Sequence, residues 1–159
     1  MNEKEKVDFD LITSNIRQKK YRFIGAGSGR SVFDLEDGYV VKVAINRRGF
    51  AQNGVESHIS SVDQTSLFAK ITDVSDDFRL LIMEKAALIN NIFDVWKFFE
   101  VKNKREFWGL ESIQYVISEH DLLFVDLCRP VNWGMIGDRP VIIDYGFTSA
   151  VKRKYYFPF

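Results

Sequence analysis

Apolar residues change period several times along the chain, and each change marks an element. Over residues 7–19, Phe9, Ile12 and Ile16 recur at helical spacing with charged residues between them, which predicts a first helix. A strand follows from Tyr21 to Ile24 and runs into Gly25-Ala26-Gly27-Ser28-Gly29. Val32, Phe33 and Leu35 then lead to the turn signal Glu36-Asp37-Gly38, and Tyr39-Val40-Val41-Lys42-Val43-Ala44 continues beyond it. Two apolar runs about an Asp-Gly pair predict an antiparallel hairpin. A helix is expected from roughly Gln52 to Val62. Two more strands are expected around Phe68 to Val74 and Leu80 to Glu84, joined by the polar turn Ser75-Asp76-Asp77.

The middle of the chain changes character. Ile92, Trp96 and Phe99 form one helical stripe, and Phe107, Leu110, Ile113 and Ile117 form another. The basic segment Lys102-Asn103-Lys104-Arg105 marks the join between them, and Asp126 to Pro130 is expected to be a loop. Trp133 to Ile136, Gly137-Asp138 and Pro140 to Ile143 then predict a small hairpin. Strands with one helix, followed by helices with a hairpin, give an α+β order in two lobes. The predicted organisation is a helix in residues 1–20, a first lobe over 21–86 and a second over 87–159, with the hinge near Glu84 to Ala86.

Composition narrows the class. At 159 residues the chain has the size of one domain, and fourteen Phe give it enough apolar bulk for a real core. Lys plus Arg equals Asp plus Glu at 22 each, so no net field draws it to nucleic acid. The single Cys128 excludes an internal disulfide and a thiolate zinc cluster. No apolar run approaches the roughly 20 residues of a membrane helix. Met1-Asn2-Glu3-Lys4-Glu5-Lys6 is mixed in charge with no apolar stretch behind it, unlike a secretion signal. The expectation is a soluble cytoplasmic domain.

Four positions carry candidate chemistry. Lys42 lies inside a nearly unbroken apolar run, where an amine is either on a solvated strand face or buried and paired. The glycine loop ahead of it favours the second reading, because such loops expose backbone N–H groups and let the chain approach phosphates. Glu56, between Val55 and Ile59 on the next predicted helix, is the natural partner for Lys42; the alternative is a solvated surface carboxylate. About a hairpin centred on Asp138, Asn132 and Asp144 are equally spaced and are expected side by side at its open end. An amide carbonyl and a carboxylate held together suit a hard cation such as Mg²⁺, although turn residues satisfying local backbone would look the same.

In this order the elements resemble the protein-kinase-like superfamily, including its small atypical members, over residues 21–148. Gly25-Ala26-Gly27-Ser28-Gly29-Arg30-Ser31-Val32 resembles the glycine-rich loop over ATP phosphates, Val40-Val41-Lys42 the strand lysine, and Glu56 its ion-pair partner. Leu80-Leu81-Ile82-Met83-Glu84-Lys85 is similar to the strand entering the adenine-reading hinge. Asn132 resembles the second metal ligand, and Asp144-Tyr145-Gly146 the metal-binding Asp-Phe-Gly motif. The resemblance implies a small antiparallel-sheet lobe with one helix, a shortened helical lobe carrying a β-hairpin, and ATP with Mg²⁺ as cofactors. It further implies Lys42 on phosphates, Asp144 and Asn132 on metal, Asp126 orienting the acceptor hydroxyl, and Arg30 as an added phosphate contact.

The departures from that pattern are specific. Arg30 stands where the spacing expects a third loop glycine, and His-Arg-Asp is absent. Val125-Asp126-Leu127-Cys128-Arg129-Pro130-Val131-Asn132 has one residue too many between Asp and Asn, so Asp126 could instead bridge to Arg129. Thirteen residues follow Gly146, too few for an activation segment and a peptide-binding lobe, and Phe147-Thr148 with Tyr155-Tyr156-Phe157-Pro158-Phe159 are expected to pack on the shortened lobe. The implied function is a minimal kinase-like phosphotransferase. The alternatives are a pseudokinase serving as a protein-binding module or inhibitor and, more distantly, nucleotidyl transfer.

Overall fold

The hydrophobic period of two in the first half builds a five-stranded antiparallel sheet. A computed structural model describes residues 4–156. Helix α1 (Phe9–Arg17), capped by the Asp8 side chain on Leu11 N–H, precedes strands β1 (Arg22–Ala26), β2 (Arg30–Asp34) and β3 (Tyr39–Ala44). Helix α2 (Arg47–Val62) follows, then β4 (Ile71–Val74) and β5 (Leu80–Glu84), in the sheet order β1-β2-β3-β5-β4. One face of this sheet receives α1, whose Ile12 joins Val41, Leu80 and Ile82 in a small core; the other faces α2 and the second lobe.

Helix α2 begins five residues before the predicted Gln52, at Arg47, because Asn46 caps it by accepting from Gly49 N–H. Its buried positions include Gln52, Asn53 and Glu56, so its inner face is polar and its first turns carry no apolar period to read. The strand expected from Phe68 also divides. Leu67 and Ala69 exchange backbone hydrogen bonds with Ile142 of the second lobe (2.6 and 2.9 Å), and only from Ile71 does the chain join the sheet.

The second lobe opens with β6 (Ala87–Leu88), a two-residue strand with no signal in the sequence, which lies on the far side of the hinge and pairs with β7 (Trp133–Ile136). Helix α3 (Ile92–Phe98) matches its stripe. The second stripe splits into α4 (Lys104–Trp108) and α5 (Glu111–His120), because Leu110 between them is extended rather than helical (φ −66°, ψ 128°). The basic segment is accordingly the start of α4, not a linker, since Asn103 caps it on Glu106 N–H at 2.8 Å. The expected loop at Asp126 to Pro130 contains the end of a short helix, α6 (Phe124–Leu127), and enters a 3₁₀ turn at Pro130–Asn132. An aromatic cluster about buried Phe107 and Trp133, joined by Trp96, Phe99 and Phe124, fills this lobe.

Strands β7 and β8 (Arg139–Ile142) form the predicted hairpin around Gly137, whose positive φ of +64° a side chain would strain. Its register pairs Trp133 with Ile142 and Ile136 with Arg139, so the hairpin is centred between Gly137 and Asp138. Asn132 therefore meets Ile143, whose N–H donates to the Asn132 carbonyl at 2.8 Å, and Asp144 lies one residue further on. The last described elements are α7 (Ser149–Val151) and a π-helical turn over Lys152–Tyr156. Phe157, Pro158 and Phe159 of the aromatic tail lie outside the described residues.

Candidate functional site

A cleft of about 780 Å³ separates the two lobes, within the usual size of a small-molecule site. Gly25, Ala26, Gly27 and Ser28 form one edge, Val32 and Val40 a sheet wall, Met83 to Leu88 the hinge side, and Asp126, Asn132 and Asp144 the opposite edge. Lys42 lies at its back. The apolar walls with polar groups concentrated at one end suit a ligand with a flat apolar part and an anionic part.

Lys42 reaches this position because β2 and β3 pair Val32 opposite Lys42, which puts both on the sheet face turned toward α2. Its Nζ donates to Glu56 Oε1 at 2.5 Å and Oε2 at 3.2 Å, and to the Ile143 carbonyl at 2.5 Å. Glu56 is fully buried behind it and so supports Lys42 from outside the cleft lining. Burial pushes the Lys42 ammonium below the ordinary lysine value; Glu56 works against that push, while Arg30 adds to it.

Arg30 lies two residues from Val32 on the same strand face, and its guanidinium turns into the protein. One terminal nitrogen donates to Glu56 and to Asn53 Oδ1 (3.1 Å), the other to Asp144 Oδ1 at 3.0 Å. Burial works against its charge, but Glu56 and Asp144 outweigh it and hold the arginine pKa above the ordinary value. Asn53 is itself fixed by donating to the Phe78 and Arg79 carbonyls at 2.8 and 3.2 Å. Sequence reasoning did not single out Asn53; the signal available was a run of polar residues (Gln52, Asn53, Glu56) on the buried face of one helix.

The glycines divide by role. A Cβ on Gly25 or Gly27 would meet nothing within 4 Å, so those two leave open space at the cleft edge. Gly29 instead packs against α2, where a Cβ on Gly49 would stand 2.0 Å from the Gly29 carbonyl oxygen. Asn46 also donates to the Ser28 carbonyl at 2.8 Å, which anchors the loop to the start of α2. Gly146 serves the same purpose at the other edge, since a Cβ there would lie 2.7 Å from the Gln52 carbonyl oxygen.

At the second-lobe edge the Asn132 amide nitrogen donates to the Asp126 carbonyl at 2.9 Å, which leaves Oδ1 as its remaining polar atom. The Asp144 side chain is half exposed and has one oxygen on Arg30. Among the described residues no cluster of three or more His, Cys, Asp or Glu makes a self-contained metal cage. One carboxylate and one amide oxygen do fit Mg²⁺, which takes one or two protein ligands and completes its shell with phosphates and water. Asp126 lines the cleft, and burial raises its carboxyl above the ordinary range, with Arg129 pulling it down and Asp144 pushing it up.

No family model matches the chain, and no curated protein matches it. Among solved structures it is similar to APH(2")-IIa. The ternary complex of that protein with streptomycin and ATP shares 15% identity and a TM-score of 0.48, over 90% of this chain and 72% of the other. Its gentamicin complex gives 15% identity and a TM-score of 0.45, over 90% of this chain and 71% of the other. The chain itself carries, in this order, the glycine loop, strand β3 with Lys42, helix α2 with Glu56, the β5–β6 connection and the β7–β8 hairpin, with Asp144 two residues beyond its end.

Tyr156, in the described part of the aromatic tail, reaches further than expected. Tyr156 rests on Phe147 (ring centroids 4.8 Å apart) and under the Arg48 guanidinium at 4.2 Å, and its hydroxyl bonds to Ser28 Oγ of the glycine loop and to Gln52 Nε2. It thus ties the end of the second lobe to the first, rather than packing on the second lobe alone. Tyr145, in the Asp144-Tyr145-Gly146 motif, is buried and donates to the Ala69 carbonyl at 2.7 Å, joining the lobes from behind.

Proposed function

We propose that the chain binds ATP with Mg²⁺ in this cleft and transfers the γ-phosphoryl group to a hydroxyl acceptor. The observation that carries the reading is the buried Lys42–Glu56 pair at the back of a glycine-edged cleft, with a half-exposed carboxylate, Asp144, across from it. A structural core has little need of a buried ion pair, which is roughly neutral or worse for stability against apolar residues of the same volume. A lysine held this way is a fixed positive charge aimed at phosphate oxygens. Val32, Val40 and Met83 offer an apolar slot for a base, and Glu84 to Ala86, where the chain leaves the sheet, line the cleft beside it.

Catalysis on this reading is positioning and charge stabilisation. Lys42 holds the phosphates, Glu56 keeps Lys42 in place, and Gly25 and Gly27 let the backbone approach. Asp144 and Asn132 would hold the metal ion, which when bound supplies charge to the transferring phosphoryl group. Asp126, whose raised pKa makes it a stronger proton acceptor than an ordinary aspartate, orients the acceptor hydroxyl. The acceptor oxygen bonds to the γ-phosphorus as the bond to the bridging β–γ oxygen breaks, and the hydroxyl proton passes to the Asp126 carboxylate.

One observation favours a second reading, a pseudokinase that binds nucleotide and acts through a protein partner. Arg30 already occupies an oxygen of the carboxylate that would hold metal. Two measurements separate the readings. Thermal unfolding with saturating Mg·ATP should stabilise wild type by roughly 2.7 kcal/mol at about 100 times the dissociation constant, and Lys42→Met should lose that shift. Intact mass after incubation with Mg·ATP and candidate acceptors should show phosphate gain that Asp144→Ala abolishes. Transfer surviving Asp144→Ala sinks the assignment of that residue; a shift without any transfer supports the pseudokinase.

A further inference from the structure

The closed end of the cleft holds four charged side chains that neutralise one another. Lys42 and Arg30 are positive, Glu56 and Asp144 negative, and Arg30 bonds to both acids while Lys42 bonds to Glu56. The Arg30 side chain is only 7% exposed, against 51% for Asp144. Asn53 clamps the guanidinium from a third side and is itself held by two backbone carbonyls, so Arg30 is locked in this arrangement. Releasing it would strand a buried cation and leave fully buried Glu56 with Lys42 as its remaining ion-pair partner.

An incoming triphosphate is anionic, and so is Asp144. Lys42 and Glu56 balance one another, so without Arg30 the Asp144 carboxylate would repel the ligand unless another cation lay between them. Divalent metal is the ordinary solution. Here a protein cation already sits 3.0 Å from the same carboxylate.

We propose that Arg30 is a tethered counter-ion of Asp144, which lets this cleft accept a nucleoside triphosphate without a metal ion on that carboxylate. The inference rests on the nucleotide reading above and adds to it a specific ion requirement: metal strengthens binding here but is not a condition for it. Removing Arg30 leaves the cluster at net −1, and removing the Asp144 charge as well restores the balance. A merely structural role for Arg30 has no reason to follow that arithmetic.

The test is the affinity of a fluorescent, non-hydrolysable ATP analogue, measured with excess chelator and again with Mg²⁺. For wild type the chelator should weaken binding by about ten-fold or less. For Arg30→Gln the ratio should rise to about a hundred-fold, with the loss in the chelator arm. The double variant Arg30→Gln with Asp144→Asn should bind the metal-free analogue within about three-fold of wild type. Wild-type binding that vanishes in chelator, or an Arg30→Gln ratio equal to wild type, overturns the inference while leaving the nucleotide reading intact. Absence of analogue binding to wild type in both arms overturns the nucleotide reading itself. Should Arg30→Gln fail to fold, Asp144→Asn alone decides: its chelator arm should tighten because Arg30 is then uncompensated, and an unchanged chelator arm refutes the proposal.

Discussion

The two edges of the cleft handle charge in opposite ways. At the first-lobe edge Lys42, Arg30 and Glu56 are buried, and their polar atoms are committed to one another or to Asn53 and the Ile143 carbonyl. At the second-lobe edge Asp144 is half exposed with one oxygen engaged, Asp126 is partly exposed, and Asn132 keeps its carbonyl. The first edge is built as a rigid charged frame, whose members hold position because leaving it would expose an uncompensated charge in a dry interior. The second edge retains acceptors for a ligand. A site that must position phosphates and also exchange ligands needs both, and here the division follows the lobes. Arg30 crosses it by ion pair, to Asp144, and Lys42 by its bond to the Ile143 carbonyl.

That contrast can be broken most severely at Glu56. Glu56→Ala takes the bonded carboxylate from buried Lys42 and one of the two acids from Arg30, and should cost about 3–5 kcal/mol in denaturant unfolding, a large part of a domain's stability. Asp144→Ala, at the open edge, should cost below about 1 kcal/mol in the same experiment. Equal losses at the two positions would mean that the edges do not differ as described.

The glycines sharpen the comparison on a smaller scale. Gly49→Ala drives a methyl against the Gly29 carbonyl and should destabilise by about 1–3 kcal/mol, since neither backbone can yield easily. Gly25→Ala meets open space and should change stability by less than about 0.5 kcal/mol. Any effect of the second substitution should instead appear as weaker ATP-analogue binding, which titration will show.

The smallest expected effect lies at the end of β2, behind cleft-lining Arg22 and Lys85, and depends on pH. Asp34 accepts from Lys85 at 2.6 Å, from the Glu36 N–H at 2.8 Å and from Arg22 at 3.1 Å, and these hold its carboxyl down to about 2. A carboxyl lowered on folding stabilises the native state above its ordinary value and loses that contribution as pH falls through the lowered one. Wild type should therefore lose stability between about pH 4 and pH 2 more steeply than Asp34→Asn. Unfolding followed at pH 5, 3 and 2 checks it; parallel curves would remove Asp34 from the account.

Much of this was legible in the chain, for identifiable reasons. The Lys42–Glu56 pairing could be read because a lysine in an apolar strand and an acid on the next helix have few other ways to be satisfied. The β7–β8 hairpin followed from two apolar runs around Gly137-Asp138, although its register lay half a residue from the symmetric guess, which set Asn132 opposite Ile143 rather than Asp144. The first turns of α2 escaped notice because their buried face is polar, and β6 because two residues carry no period. The break at Leu110 escaped because a stripe of apolar residues continues in spacing across it.

By itself the sequence determined the order of the larger strands and helices, the two-lobed α+β class and the identity of the paired lysine and glutamate, because each depends on local period and nearest available partner. Tertiary structure alone decided where Arg30 and Tyr156 point. Arg30 is 114 residues from Asp144 and Tyr156 is 128 from Ser28, so no local pattern encodes either contact. Each exists only once the sheet, α2 and the hairpin have closed around the cleft, when a buried guanidinium must find its acids and an aromatic ring its cation.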